Sequence, residues 1–201
     1  QKVMFSNRYI FIYSSVMVIL VAIALTVVAV QLKPKQDYNR RVEKMQNILG
    51  SVYIESTPKN AEEVYKKYIT ESFVVNTKGE IKENLNAFDI ELQIENKKKP
   101  EDKNLPVFVC TTDNQEKYYI VPVRGKGLWG PVWGYVSFRE DLNTIKGTIF
   151  DHKGETPGLG AEINTREFQD QFRDKTIYDD HIRRKKLHKV NKVIKKKIKG
   201  E

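Results

Sequence analysis

The amino-acid sequence predicts an α+β domain, a mostly antiparallel sheet with flanking helices, joined to one N-terminal transmembrane helix. Three observations lead to this fold class. A long charge-free apolar run lies near the N-terminus, and two segments with helical spacing of apolar residues follow it. Most of the remaining chain consists of short strand patterns separated by turn residues.

Residues 9–32 form an uncharged run of 24 residues, which reads YIFIYSSVMVILVAIALTVVAVQL. At about 1.5 Å rise per residue, a helix of this length crosses a hydrocarbon layer of about 30 Å. The alternative is a cleaved signal peptide, whose apolar core spans about 7–15 residues before a small-residue cleavage site. This run is longer and ends at Lys33 and Pro34, so it favours a membrane anchor. Two basic residues precede the run and four follow it up to residue 41, so charge alone favours neither orientation.

Two helices are predicted after the anchor. Residues 37–49 place apolar side chains at helical spacing and are followed by Gly50, which predicts an amphipathic helix that leaves the membrane and ends there. Residues 61–69 predict a shorter helix, for which Asn60 and Glu63 are spaced as a capping box.

The rest of the chain favours strands. The predicted strands are residues 73–75 (before a turn at 76–79), 88–94, 107–111, 117–123, 132–138 and 144–150. Residues 113–116 separate the third and fourth of these strands and are typical of a hairpin turn. Residues 96–104 form a charged loop, and residues 165–172 predict a short helix with Phe168 and Phe172 four positions apart.

The charge of +9 is confined to the C-terminal segment. Residues 181–201 contain ten Lys and Arg and one acid, whereas the other 180 residues contain 25 basic and 25 acidic side chains. The basic segment contains no aromatic residue on which a base could stack, so we expect no nucleic-acid partner. We expect a solvated edge element, or one that faces an anionic lipid surface or an acidic partner subunit of the same membrane.

Cysteine and histidine usage argues against disulfide and zinc sites. The single cysteine, Cys110, lies in an alternating strand pattern, and we expect it to be a small buried residue rather than a nucleophile. The three histidines share no metal-ligand spacing, so we expect no metal site.

Eight of the eleven glycines fall between residues 125 and 160, in two segments that could bind a ligand. The first segment reads GKGLWGPVWG (125–134) and the second HKGETPGLG (152–160). Glycine allows close approach of the backbone to a flat or phosphorylated ligand, and Leu128, Trp129 and Leu159 could form apolar walls for an aromatic ring. The alternative is that these glycines only make hairpin turns, and that His152 is a surface or loop-structuring residue rather than one that faces a ligand.

The pair of strings GKGLWG and HKGETPGLG, downstream of one membrane helix, resembles the FMN-binding domain family. The resemblance covers residues 1 to about 200, and ETPGLG is its most specific part. It implies that two loops flank the isoalloxazine ring of FMN. Their residues here are Glu155, Thr156, Pro157, Gly158, Leu159 and Gly160 in one loop, and Gly127, Leu128, Trp129 and Gly130 in the other.

The resemblance also implies a function and a location. Members of this family serve as FMN-carrying electron-transfer subunits of membrane-bound complexes, here either a Na⁺-translocating NADH:quinone oxidoreductase or an Rnf-type ferredoxin:NAD oxidoreductase. The expected partners are the other membrane subunits of the complex and the lipid bilayer, and no independent active site or catalytic residue is expected. Residues 1–8 would lie in the cytoplasm, 9–32 would cross the bacterial inner membrane, 33–50 would form a membrane-proximal helix, and 51–201 would form a periplasmic domain.

The sequence departs from the family at the flavin attachment site. The family joins FMN through a phosphoester to a threonine in a [S/D]-G-A-T-x-[S/T] motif, which these 201 residues lack. We expect that motif beyond residue 201, and the alternative is a subunit that does not hold flavin covalently. The alternative function, from a different class, is a membrane-tethered extracytoplasmic sensor or binding module without flavin.

Overall fold

The computed structural model describes residues 6–178, and in that range it contains four helices, a six-stranded sheet and three short 3-10 helices. The chain divides into two compact units, Gln1–Glu43 and Lys44–Glu201. The α-helices are α1 (Asn7–Gly50), α2 (Ala61–Tyr68), α3 (Leu92–Glu95) and α4 (Arg166–Asp170). The strands are β1 (Ile69–Val75), β2 (Ile81–Lys82), β3 (Leu105–Thr111), β4 (Lys117–Lys126), β5 (Pro131–Phe138) and β6 (Ile145–His152). The 3-10 helices are Ala87–Asp89, Pro100–Asp102 and Gly160–Asn164.

Helix α1 joins the predicted anchor and the predicted amphipathic segment in one continuous helix that passes through Pro34. Within residues 6–178 it is the one helix long and apolar enough to cross a membrane, and its apolar side chains between residues 9 and 32 are exposed. The hydroxyls of Ser14 and Thr26 donate to the carbonyls of Ile10 and Ala22, at 2.8 and 2.7 Å. These two hydroxyls are thereby satisfied inside the helix, as a lipid environment requires.

The sheet confirms the predicted fold class. Its strand order is β2-β1-β3-β4-β5-β6, and every neighbouring pair is antiparallel. The predicted hairpin at residues 107–123 is formed by β3 and β4, with Val109 opposite Tyr119. Strand β4 runs past its predicted end to Lys126, where it faces Pro131 of β5 across the turn.

The alternation of the central strands places apolar side chains on both faces of the sheet. On one face Phe108, Ile120 and Tyr135 pack with Ile48 and Val52, which belong to the end of α1 and the turn after it. The other face carries a second cluster of five buried residues, Phe73, Val75, Val107, Val109 and Tyr119. Cys110 belongs to the first cluster and is fully buried, as predicted.

The predicted strand at residues 88–94 is wrong. This segment contains the 3-10 helix Ala87–Asp89 and α3. The side chain of Asn86 accepts a hydrogen bond from the backbone N–H of Phe88 and so starts a helical turn. Phe88 packs against the first core cluster, which shows that its apolar side chain serves burial without a strand.

The predicted capping box is also wrong, although α2 itself is confirmed. The side chain of Asn60 makes no capping hydrogen bond to the helix. Its Oδ1 instead accepts bonds from the backbone N–H and the hydroxyl of Thr57, at 2.7 and 2.9 Å. The predicted helix at residues 165–172 is confirmed as the shorter α4, capped by the Thr165 hydroxyl. The basic segment 181–201 lies outside the described residues.

Candidate functional site

The first glycine-rich segment forms the tip of the β4–β5 hairpin. The N–H of Gly127 donates to the carbonyl of Gly130 at 2.7 Å, which closes the turn directly after Lys126 pairs with Pro131. The two residues between them point into solvent, because Leu128 is 82% exposed and Trp129 is 72% exposed. Large apolar side chains that remain this exposed at a hairpin tip indicate a contact surface rather than a contribution to the core.

The second segment forms the loop between β6 and the 3-10 helix Gly160–Asn164. His152, the last residue of β6, accepts a hydrogen bond on Nδ1 from the N–H of Glu155, at 3.1 Å. The carbonyl of Thr156 then accepts from the N–H groups of Leu159 and Ala161, each at 3.1 Å. Gly158 adopts a φ of +74°, a conformation that favours glycine. His152 is therefore a loop-structuring residue, which was one of its two predicted roles.

The side chain of Glu155 connects the two segments. Its Oε1 accepts hydrogen bonds from the backbone N–H groups of Trp129 and Gly130, at 3.0 and 3.2 Å. The residue is only 8% exposed. A second link runs from the N–H of Lys153 to the carbonyl of Pro131, at 3.1 Å. The hairpin tip and the loop are thus held side by side by a charge-assisted contact and a backbone bond.

Two glycines leave the space that the Glu155 carboxylate occupies. A Cβ at Gly127 would lie 2.3 Å from Oε1, and a Cβ at Gly160 would lie 2.9 Å from Oε2. Real Cβ atoms do not approach oxygen this closely, so a larger residue at either position would displace the carboxylate. At Gly154 and Gly158, by contrast, an added Cβ would meet nothing within 4 Å.

The structure brings all ten residues of the predicted site into two adjacent segments. Glu155 is buried beneath them, whereas Thr156, Pro157, Gly158 and Leu159 are exposed, and Leu159 reaches 74% exposure. A shallow hollow of about 300 Å³ lies against the hairpin tip and is lined by residues 125–131. Exposed apolar side chains beside accessible backbone are suited to the face of a flat aromatic ring.

Sequence reasoning placed Glu155 in the site but did not find its bridging role, since nothing in the sequence indicates which N–H groups a lone carboxylate meets. It also missed a hollow of about 520 Å³ beside the end of α1. That hollow is lined by Gln46, Gly50, Tyr53, Ile54, Glu55, Ser56 and Arg166. Within residues 6–178 no group of three or more His, Cys, Asp or Glu side chains could hold a metal ion.

Comparison with known proteins identifies the family. The model of the FMN-binding domain matches residues 127–201, which begin at the hairpin tip. The C subunit of the Na⁺-translocating NADH-quinone reductase of Haemophilus ducreyi is 30% identical over 75% of this chain and 65% of its own length. The chain thus spans just under two thirds of that relative. The same protein from Vibrio parahaemolyticus is 29% identical over 80% of this chain and 69% of its own length.

Two solved structures have the same fold. The crystal structure of the corresponding protein from Parabacteroides distasonis superposes with a TM-score of 0.68 and 39% identity, over 73% of this chain and 71% of that one. The Shewanella oneidensis NqrC structure, at 24% identity and a TM-score of 0.60 over 71% of this chain and 74% of that one, supports the fold alone. These similarities show that the chain belongs to the NqrC family, the C subunits of the Na⁺-translocating NADH-quinone reductase.

Proposed function

We propose that this chain is an FMN-carrying electron-transfer subunit of a membrane-bound Na⁺-translocating NADH-quinone reductase. The relatives are subunits of that oxidoreductase, and the FMN-binding domain model matches the segment that contains both loops. The observation that carries the proposal is that three large apolar side chains remain exposed on the two segments that the buried Glu155 joins. These side chains, called the trio here, are Leu128, Trp129 and Leu159. The partners would be the other membrane subunits of the complex, and nucleic acid has no part in it.

The residues present fit FMN. The isoalloxazine ring would lie against the trio, with the exposed residues Thr156, Pro157 and Gly158 beside it. FMN, when bound, accepts and passes on electrons, and the protein positions it and tunes its electronics. This chain would therefore need no catalytic acid, base or nucleophile of its own.

Titration of the full chain in detergent with free FMN tests this site, with flavin fluorescence anisotropy as the readout. Trp129→Ala and Leu159→Ala should each weaken binding by about tenfold, because each removes a large apolar contact worth roughly 1–3 kcal/mol. Ile94→Ala is the matched control, since Ile94 is an apolar side chain on α3 that is also exposed, at 55%. Equal affinities for all four proteins would contradict the site.

We further propose that the flavin is held covalently in the native protein. The family's phosphoester needs a threonine in a motif that residues 1–201 lack, so the attaching residue would lie outside them. The native protein, expressed in its own bacterium and denatured in a gel, should fluoresce under ultraviolet light. A dark band would exclude covalent flavin, and a different small molecule co-purified without flavin would favour a tethered binding module.

The proposed topology places residues 1–8 in the cytoplasm and residues 51–201 outside the bacterial inner membrane. The only cysteine, Cys110, is fully buried, so we expect little background labelling of the folded wild-type chain by a thiol reagent. A membrane-impermeant maleimide applied to whole cells or spheroplasts should label Lys59→Cys, whose site is exposed in the domain, but not Ser6→Cys. The reverse pattern would place the domain in the cytoplasm.

A further inference from the structure

We propose that Glu155 is a positioning residue, which holds the β4–β5 hairpin tip against the loop after β6 so that Leu128, Trp129 and Leu159 form one ligand surface. This inference rests on the proposed function, because the ligand is taken to be FMN. The role assigned to Glu155 is indirect. It acts through the backbone of Trp129 and Gly130 and needs no contact with the flavin.

The first argument is the geometry of the contact. Two of the apolar side chains belong to the hairpin tip and the third, Leu159, lies 30 positions after Trp129. Each is at least 72% exposed, so they do not hold one another in place through a core. The carboxylate of Glu155 accepts from two consecutive N–H groups of the tip, at 3.0 and 3.2 Å. Its own backbone is fixed by the bond from its N–H to Nδ1 of His152. The orientation of the tip therefore depends on an anchored side chain.

The second argument is that the glycines on both sides of the Glu155 carboxylate leave the space that it occupies. An added Cβ at Gly127 would lie 2.3 Å from Oε1, and one at Gly160 would lie 2.9 Å from Oε2 and 3.1 Å from Cβ of Glu155. Glycine at 160 has a φ outside the left-handed region, so its small size is explained by this close approach rather than by backbone conformation. The two glycines are thus needed for Glu155 to join the hairpin tip and the loop.

The experiment compares four full-length proteins in detergent: wild type, Glu155→Ala, Glu155→Gln and the control Glu162→Ala. Glu162 is an exposed carboxylate of the adjoining 3-10 helix, Gly160–Asn164, that also accepts from a backbone N–H, that of Gly158, but it does not bond to the hairpin tip. Two quantities are measured, namely hydrogen exchange of the Trp129 and Gly130 amides without FMN, and the dissociation constant of added FMN.

In Glu155→Ala we expect exchange at the two amides to accelerate by at least about tenfold and FMN binding to weaken by about tenfold, since both N–H groups lose a charged acceptor. In Glu155→Gln the amide oxygen still accepts both bonds, so both quantities should stay within about threefold of wild type. The control should match wild type in exchange at Trp129 and Gly130.

Unchanged amide exchange in Glu155→Ala, or no recovery in Glu155→Gln, would overturn the proposal. If Glu155→Ala does not fold, Gly160→Ala replaces it, because its Cβ displaces the carboxylate while leaving the charge, and it should likewise accelerate exchange at the two amides. If wild type binds no FMN, the proposed function fails, whereas amide exchange measured without FMN still decides the role of Glu155.

Discussion

At the scale of single residues, the close approach of backbone and side chains decides which residue types this domain accepts. Gly134, in the middle of β5, shows this within the sheet. A Cβ there would lie 2.1 Å from the carbonyl oxygen of Ile149 and 2.6 Å from the ring of Phe150. Strand β6 therefore leaves no space for a Cβ at position 134. Neither of the two atoms that this Cβ would contact lies at the far end of a flexible side chain, so neither moves aside easily.

Gly134→Ala should lower the free energy of unfolding by about 2–3 kcal/mol, because β5 and β6 must separate locally to admit the methyl group. Gly154→Ala is the matched control, since an added Cβ there meets nothing within 4 Å, and it should change the free energy by less than about 0.5 kcal/mol. Chemical denaturation of the full chain in detergent, followed by tryptophan fluorescence, measures both. Equal stabilities of Gly134→Ala and Gly154→Ala would show that β5 and β6 separate at Gly134 without cost.

Glu95 on α3 is a buried carboxylate whose charge is supported by its surroundings. Burial by itself raises its pKa, but hydrogen bonds from Lys98 and from the backbone and side chain of Asn104 outweigh burial and hold the pKa below the ordinary value of 4.5. A carboxylate with a depressed folded pKa stabilises the fold above its unfolded pKa, and this stabilisation is lost as pH falls through the folded value.

We therefore expect Glu95→Gln to be less stable than wild type at pH 7 and to approach wild-type stability as pH falls below 4.5. Thermal unfolding of both proteins from pH 7 to pH 3 measures the difference. Glu91→Gln, at the exposed residue before α3, is the control for the loss of one surface carboxylate at each pH. A stability difference between the two proteins that is constant with pH would show that Glu95→Gln acts through packing or hydrogen bonding and not through the loss of the charge.

At the scale of elements, one hydroxyl joins the end of α1 to two strands. Ser137 on β5 is fully buried, and its Oγ donates to the carbonyl of Ser51 at 2.6 Å and accepts from the N–H of Gly147 on β6 at 3.0 Å. A second connection lies nearby, where the Tyr53 ring contacts the guanidinium groups of Arg166 and Arg173, with centroid distances of 4.3 and 4.1 Å. These contacts fix the turn after α1 against β5, β6 and α4.

Ser137→Ala should destabilise the domain by about 1–3 kcal/mol, because the carbonyl of Ser51 is left buried without the hydroxyl that now donates to it. Ser72→Ala, at an exposed position on β1, is the matched control and should change stability by less than about 0.5 kcal/mol. Denaturant unfolding measures both. A neutral Ser137→Ala would mean that the turn after α1 moves to find another partner.

At the scale of the whole molecule, the central strand β3 reports on the integrity of the domain. Its Cys110 is fully buried between β1 and β4, and burial raises the pKa of the thiol to about 12. Both the inaccessibility and the scarcity of thiolate suppress reaction with electrophiles.

The rate of maleimide labelling of Cys110 should therefore be at least about 100-fold below that of Lys59→Cys in the native state, and it should rise in parallel with global unfolding as denaturant is added. Mass spectrometry of timed samples measures both sites in the Lys59→Cys protein. Rapid labelling of Cys110 without denaturant would show that β3 opens locally.

The sequence by itself determined the apolar helix, the antiparallel sheet, most strand positions and the two glycine-rich segments. These depend on local patterns, since charge-free length and strict alternation are visible in consecutive residues. The resemblance to FMN-binding domains likewise depends on short strings, and the comparisons confirmed the family.

Only the tertiary structure decided that residues 88–94 form helical turns instead of a strand, that Asn60 bonds to Thr57 rather than capping α2, and that Glu155 joins the two loops. The bonds of Asn86 and Asn60 are local, and a local pattern does not determine which of several nearby groups a side chain takes as its partner. The partners of Glu155 lie across the fold. An alternating pattern satisfies a 3-10 turn as well as a strand when both bury the same apolar side chains, and a carboxylate has no partner until two distant backbone segments are brought within 3.0 Å of each other's polar atoms.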